Sequence, residues 1–296
     1  MEIYEFAQKA RDAIAKELGE EYRVELREVR KNNGVVLHGL LILNNTENII
    51  PTIYLETFHM AYEEGVPLGE VLRRILEIYR EETPGENINM DFFRHFCSVK
   101  DRICYRLIRR QGNEELLEDI PYVEFLDLAI CFFYAYSGRV LGEGTILIHN
   151  SHMEMWGVNT RELMRLATEN TPRLFPGKLS PMTEVLKEVM DVGGKSDFEQ
   201  EIPLTVLTNV RRTQGAACIL YPGMLERIAE KTGKSFYIIP SSIHEVILLE
   251  KTGEEVPAEL KEMICEVNKT QVAAEEVLSD NLYFYDDSLK TVKIIF

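Results

Sequence analysis

The segment "FYIIPSSIHEVILLE" (236–250) sets Ser241, Ser242 and His244 between two apolar runs. A hydroxyl beside an imidazole is the minimum equipment of a nucleophile and its general base. Residues two apart on a strand point to one face, so a strand starting at Ser242 would bring Ser242 and His244 within reach of each other. Glu245 would then face the other way and could not orient the ring, leaving that task to a carboxylate such as Asp280. A tight Ser-Ser connection explains the same residues more simply, because hydroxyls in turns bond to nearby backbone N–H groups. A structural turn is the better reading. Farther along, "EVNKTQVAAEEVLSD" (266–280) supplies Asn268, Thr270 and Asp280, expected beside Ser241 and Ser242 as a polar cluster at one edge of a C-terminal sheet. Buried polar groups must be paired, so such a cluster is either a satisfied network or a ligand site.

Three other stretches carry reactive side chains. In "HNSHMEMWG" (149–157), His149 and His152 fall on opposite faces if the preceding strand continues. A metal would need a turn at Asn150 and a third ligand from elsewhere, so no metal is expected. His152 and Trp156 are better candidates for an interface or pocket, with the tryptophan as an anchor. "FRHFCSV" pairs His95 with Cys97, but the aromatic residues around them argue for a buried thiol rather than an activated one. "TQGAAC" (213–218) has one glycine and no lysine, which is not a phosphate-binding loop, and no cofactor is implied.

The elements that must position these residues follow from periodicity. Apolar residues at helical spacing predict a helix over 3–18, stopped by Gly19. "YRVELREV" and "VVLHGLLIL" alternate and flank "KNNG", a hairpin signature. Helices are expected at roughly 51–64 and 67–82, and "TPGEN" (83–87) breaks the chain. "DRICYRLIRR" reads as a strand, "VEFLDLAICFFYAY" as one continuous central strand, and "GTILIHN" as another. "NTRELMRLATENTP" is a helix capped by Asn159 or Thr160 with Pro172 beyond its end, and "LSPMTEVLKEVM" is a further helix. "GGKSDFEQE" (193–201) reads as an exposed loop. "IPLTVLTN", "GAACILY", "PGMLERIAEKTG", "SFYIIP" and "HEVILLE" then make a ββαββ unit. "PAELKEMICEVNKT" is helical, and "LYFYDD" with "TVKIIF" forms a terminal hairpin. The fold class is α+β, with mostly antiparallel sheets and flanking helix pairs. Two lobes, 1–84 and 85–296, are expected to fold as one cooperative unit, with first proteolysis in 193–200.

Composition narrows the function. The chain has 296 residues, 45% of them apolar, and a formal net charge of −16. Basic residues are few and dispersed, which argues against nucleic acid as a partner. No run approaches the ~20 apolar residues of a membrane span. The charged, amphipathic start does not read as a secretory signal. Five scattered cysteines without a C-x-x-C pair point to reduced thiols in a cytoplasm.

"NEELLEDIPYVEFLDLAICF", "MWGVNTRELMRLATENTPRLFP", "PSSIHEV" and "EVNKTQVAAEEVLSD" together resemble an uncharacterised domain-of-unknown-function family of anaerobic gut bacteria, over about Glu25 to Asp286. The resemblance implies a cytoplasmic bacterial protein and carries over no catalytic residue. Two functions remain in view. One is a binding or regulatory protein without catalysis, acting on a protein or small-molecule partner. The alternative is a hydrolase using the Ser/His pair near 241–245.

Overall fold

The computed structural model describes residues 1–44, 48–84, 87, 89–140, 142–190, 204–233, 235–251, 253 and 257–296. They form two compact units, Met1–Asp91 with Ser137–Gly144, and Phe92–Tyr136 with Thr145–Phe296. The loop expected at 193–201 lies outside the described residues.

In the first unit, α1 (Ile3–Leu18) ends at Gly19, whose φ of +79° is open to glycine without strain. β1 (Arg23–Arg30) and β2 (Val36–Leu43) pair antiparallel from Arg23 opposite Leu43 to Arg30 opposite Val36. Between them Asn33 and Gly34 both take positive φ, as the sequence required. The segment read as a helix from 51 begins with a third strand, β3 (Ile53–Tyr54), and α2 covers only Glu56–Glu63. α3 (Leu68–Glu82) lays Val71, Ile75, Leu76 and Tyr79 against Phe6 and Ile14 of α1 and Leu40 and Ile42 of β2. These side chains make up that unit's core.

The second unit begins with the short helix α4 (Phe96–Val99) and continues into β4 (Ile103–Arg109), and α5 (Glu114–Asp119) follows. "VEFLDLAICFFYAY" is not one strand. It is a hairpin of β5 (Tyr122–Phe125) and β6 (Leu128–Gly138), turned on Leu126 and Asp127. β7 (Gly142–Leu147) pairs with β6, giving a four-stranded sheet that runs β4-β6-β5 with β7 alongside.

α6 (Asn150–Trp156) replaces the expected strand continuation, so His149 and His152 lie together on one helical turn. α7 (Thr160–Leu174) is capped by Asn159, whose side chain accepts the Glu162 N–H, and Pro172 falls in its last turn rather than beyond it. β8 (Gly177–Pro181), α8 (Met182–Met190) and β9 (Leu204–Asn209) come next.

"GAACILY" is a 3₁₀ segment, Gly215–Leu220, not a strand. Every residue from Gly215 to Ile219 is buried, so no face alternates and the period-2 test had nothing to detect. The remaining elements are α9 (Met224–Thr232), β10 (Phe236–Ser242), β11 (Glu245–Glu250), α10 (Pro257–Thr270), β12 (Tyr283–Asp286) and β13 (Thr291–Ile294). They complete a six-stranded sheet of order β13-β12-β10-β11-β9-β8, antiparallel at every pairing. The architecture is α+β.

Strand alternation divides this sheet between two cores. Phe236, Ile238, Val246 and Leu248 enter the large core shared with Tyr105, Leu107, Ile130 and Phe132 of the four-stranded sheet. Tyr237 and Ile239 face the other way, onto Ile264 of α10. No helix among the described residues is long and apolar enough to cross a membrane.

Candidate functional site

Apolar anchors dictate where the chain must place its polar groups. β4 sends Tyr105 and Leu107 into the large core, and Arg109, of the same parity, emerges at its end opposite Leu128. The β5–β6 turn closes on Phe125 and Leu128, with Leu126 at φ +55°. A leucine is seldom found there, and such a conformation persists only where the surroundings hold it. The Asp127 carbonyl accepts the Arg110 N–H at 3.2 Å, which fixes the turn beside the end of β4.

From the other side, Leu278, Leu282 and Tyr283 are fully buried and hold the intervening triplet Ser279–Asp280–Asn281 against this corner. The Asp127 carboxylate accepts from the Ser279 hydroxyl at 2.6 Å, from Asn281 Nδ2 at 2.9 Å and from the Tyr283 phenol. Burial, then the Asp127 charge, drives the Tyr283 phenol well above its ordinary pKa, so it stays a donor.

Asp280 receives Arg109 Nη2 on Oδ2 at 2.9 Å and Asn268 Nδ2 on Oδ1 at 2.9 Å. Lys261, two helical turns before Asn268 on α10, donates to Asn281 Oδ1 at 2.8 Å. Around this node open two adjoining clefts that share Gln111 and Asp127. One, of about 290 Å³, is lined by Arg109, Lys261, Asp280 and Asn281. The other, of about 560 Å³, is lined by Arg110, Glu114, Glu118, Leu117 and Tyr122. The N–H groups of Glu114 and Gly112 hold the Glu114 carboxyl below its usual range.

The sequence-derived candidates are distributed over several places. Asn268 and Asp280 meet directly. Ser241 and Asn268 line one small cavity beneath α10. Thr270 stands apart, exposed and donating to the Glu266 carbonyl at 2.9 Å.

Ser242 is the last residue of β10, and the turn is Ile243–His244 rather than Ser-Ser. The Ser242 hydroxyl accepts the backbone N–H of His244 at 3.0 Å. The imidazole looks elsewhere: Nδ1 accepts the Gln214 N–H at 3.3 Å, and Nε2 lies 3.3 Å from Glu276. The His244 carbonyl accepts from Thr208 Oγ1 at 2.7 Å, and Gly215 is packed so closely beneath it that a Cβ would collide with that carbonyl and with Thr208.

Trp156 is a core anchor, donating Nε1–H to the Phe93 carbonyl at 2.8 Å. His152 stands edge-on to Phe93, and its Nδ1 accepts the His149 N–H at 3.1 Å. Burial and the neighbouring His149 lower its pKa. His149 pairs with Asp119 at 2.6 Å. Cys97, expected to be buried, is exposed, whereas Cys104, Cys131 and Cys218 are buried and pushed up to about 12 by desolvation. Among the described residues no group of three or more His, Cys, Asp or Glu is placed to hold a metal ion.

Residues 3–287 match a family of unknown function, DUF5688. The chain belongs to that family. The match takes in every residue of the Asp127 node, so the node lies inside the DUF5688 region and not in an appended segment. No curated protein and no solved structure matches the chain.

Sequence reasoning passed over Arg109, Asp127, Ser279, Asn281 and Tyr283. One signal was available: Asp127 is the lone charge within "FLDLAICFF", and a charge in an apolar run needs partners.

Proposed function

We propose that this DUF5688 chain is a binding protein without catalysis, and that its ligand occupies the paired clefts around Asp127. The observation that carries this is the engagement of the two carboxylates at the node and of the Ser242 and His244 side chains. Asp127 has three donors and Asp280 two, while the Ser242 hydroxyl meets a backbone N–H and the His244 ring meets the Gln214 N–H and the Glu276 carboxylate rather than that hydroxyl. A general base must reach the proton it abstracts, and the His244 ring does not reach the Ser242 hydroxyl.

The clefts present both signs of charge, with Arg109, Arg110 and Lys261 alongside Glu114, Glu118, Asp127 and Asp280. That lining suits a small zwitterion such as an amino acid or a short peptide. The reading extends to the reducing cytoplasm of a bacterial cell, supported by five free cysteines.

Titrating free amino acids and glycine dipeptides into ¹⁵N-labelled protein tests it. Shifts centred on the amides of Gly112, Asp127 and Asn281, weakened in Lys261→Ala, are expected. Unmoved amides at millimolar ligand would overturn the choice of ligand class.

A further inference from the structure

β1 is the outer strand of the sheet β1-β2-β3, and none of its eight residues is buried. A cleft of about 600 Å³ is lined by residues 23–28 of this strand and by Tyr4, Gln8 and Arg11, one stripe of α1. Residues from both faces of β1 line it, so the cleft runs beside the strand, along its edge.

The pairing with β2 decides which backbone groups face that edge. The His38 carbonyl accepts the Leu55 N–H at 2.9 Å, so His38 turns its backbone away from β1. Glu28 stands opposite His38, and opposed residues of an antiparallel pair either bond each other or both turn away. Glu28, and with it Leu26 and Val24 at the period of two, therefore presents its N–H and C=O to the open side.

Such edges are ordinarily blunted. β8 ends in Pro181, and β13 has four residues and carries Lys293. β1 has eight residues, no proline and an unbroken register with β2. On its outer face Arg23, Glu25 and Arg27 alternate in sign, with Glu25 2.7 Å from Arg23 and 3.0 Å from Arg27.

We propose that β1 pairs antiparallel with β1 of a second copy of this chain, joining two three-stranded sheets into one of six strands. The charge pattern selects both the occupant and the register. With Leu26 opposite its own counterpart on the two-fold axis, each Glu25 faces the other copy's Arg27, giving two ion pairs. Val24, Leu26 and Glu28 then exchange backbone hydrogen bonds across the axis, while Glu25 and Arg27 occupy the non-hydrogen-bonded positions, where side chains are closest. A slip of two residues one way sets Glu25 against Glu25; the other way sets Arg27 against Arg27. This interface does not depend on a ligand in the Asp127 clefts.

Sedimentation equilibrium on the full chain should show a monomer–dimer equilibrium. Glu25→Arg and Arg27→Glu each place two like-charge pairs across the axis. Each should weaken self-association about tenfold or more, with the circular dichroism spectrum retained. Mixed in equal amounts, the two variants become complementary and should form a heterodimer. In the unaltered protein, amide hydrogen exchange at Val24, Leu26 and Glu28 should slow as the protein concentration is raised. Should a variant fail to fold, that exchange and the parent's sedimentation still decide. A parent that stays monomeric at millimolar concentration, single variants that dimerise as well as the parent, a mixture that stays monomeric, or concentration-independent exchange at Leu26 would overturn the proposal.

Discussion

Replacing Asp127 by Ala removes the acceptor of three hydrogen bonds at once. The cost follows from which donors water can rescue. Ser279 and Tyr283 are fully buried, so both hydroxyls are stranded, while Asn281 is only half-buried and can rehydrate. Each stranded donor costs about 1–3 kcal/mol, with bonds to a charged acceptor at the upper end. Asp127→Ala should therefore lose about 3–5 kcal/mol in urea unfolding, a large part of a typical domain's stability. Tyr283→Phe removes one donor and leaves the carboxylate two others, so about 1–2 kcal/mol is expected. Combined in a double-mutant cycle, the two changes should couple by about 1.5–3 kcal/mol. An Asp127→Ala variant within about 0.5 kcal/mol of the parent, or strict additivity with Tyr283→Phe, would refute the node as described.

Gly215→Ala should cost about 3 kcal/mol or more, read as a lowered melting temperature, because its Cβ would meet the His244 carbonyl and the Asn209 nitrogen, backbone atoms that cannot swing aside. Arg106 lies on β4 with Nε buried and unpartnered among the described residues, and burial lowers its pKa. Arg106→Met should stabilise the protein by about 1–2 kcal/mol in urea, and a destabilised variant would show that the guanidinium is held by something else. For the buried thiols the unfolded chain ionises near pH 9, whereas Cys104, Cys131 and Cys218 keep their protons to about 12 when folded. The unfolded state thus releases protons first, and stability should fall as pH rises through that window. In the native state Cys97 should react at once with a thiol reagent and those three only on unfolding; reaction of all five in folded protein would contradict this.

Much of the frame was legible because it depends on local rules. α1 and α3 show helical spacing, Asn159 and Gly19 sit where caps belong, and Asn33-Gly34 supplies the positive φ of the first hairpin. The β5–β6 hairpin was hidden because Leu126 takes the left-handed conformation without the glycine or asparagine that would announce it. Part of the site was within reach: Asn268 and Asp280 are twelve residues apart and both drew notice as polar residues near a helix end. Asp127 and its partners are 152 to 156 residues apart, and no spacing rule joins a hairpin tip to a distant loop. The Ser242–His244 geometry depended on where the turn falls, which is two residues later than the serines suggest. With the turn at Ile243–His244 rather than at the serines, the hydroxyl caps a backbone N–H and the ring points to Gln214 and Glu276.

The central claim, binding without catalysis, is tested most directly at Ser242. A fluorophosphonate probe labels serines activated by a neighbouring base, and mass spectrometry locates the adduct. Because the Ser242 hydroxyl accepts the His244 N–H and neither ring nitrogen faces it, no adduct should form at Ser242 at neutral pH. An adduct on Ser242 that disappears in His244→Ala would contradict that claim and establish a hydrolase.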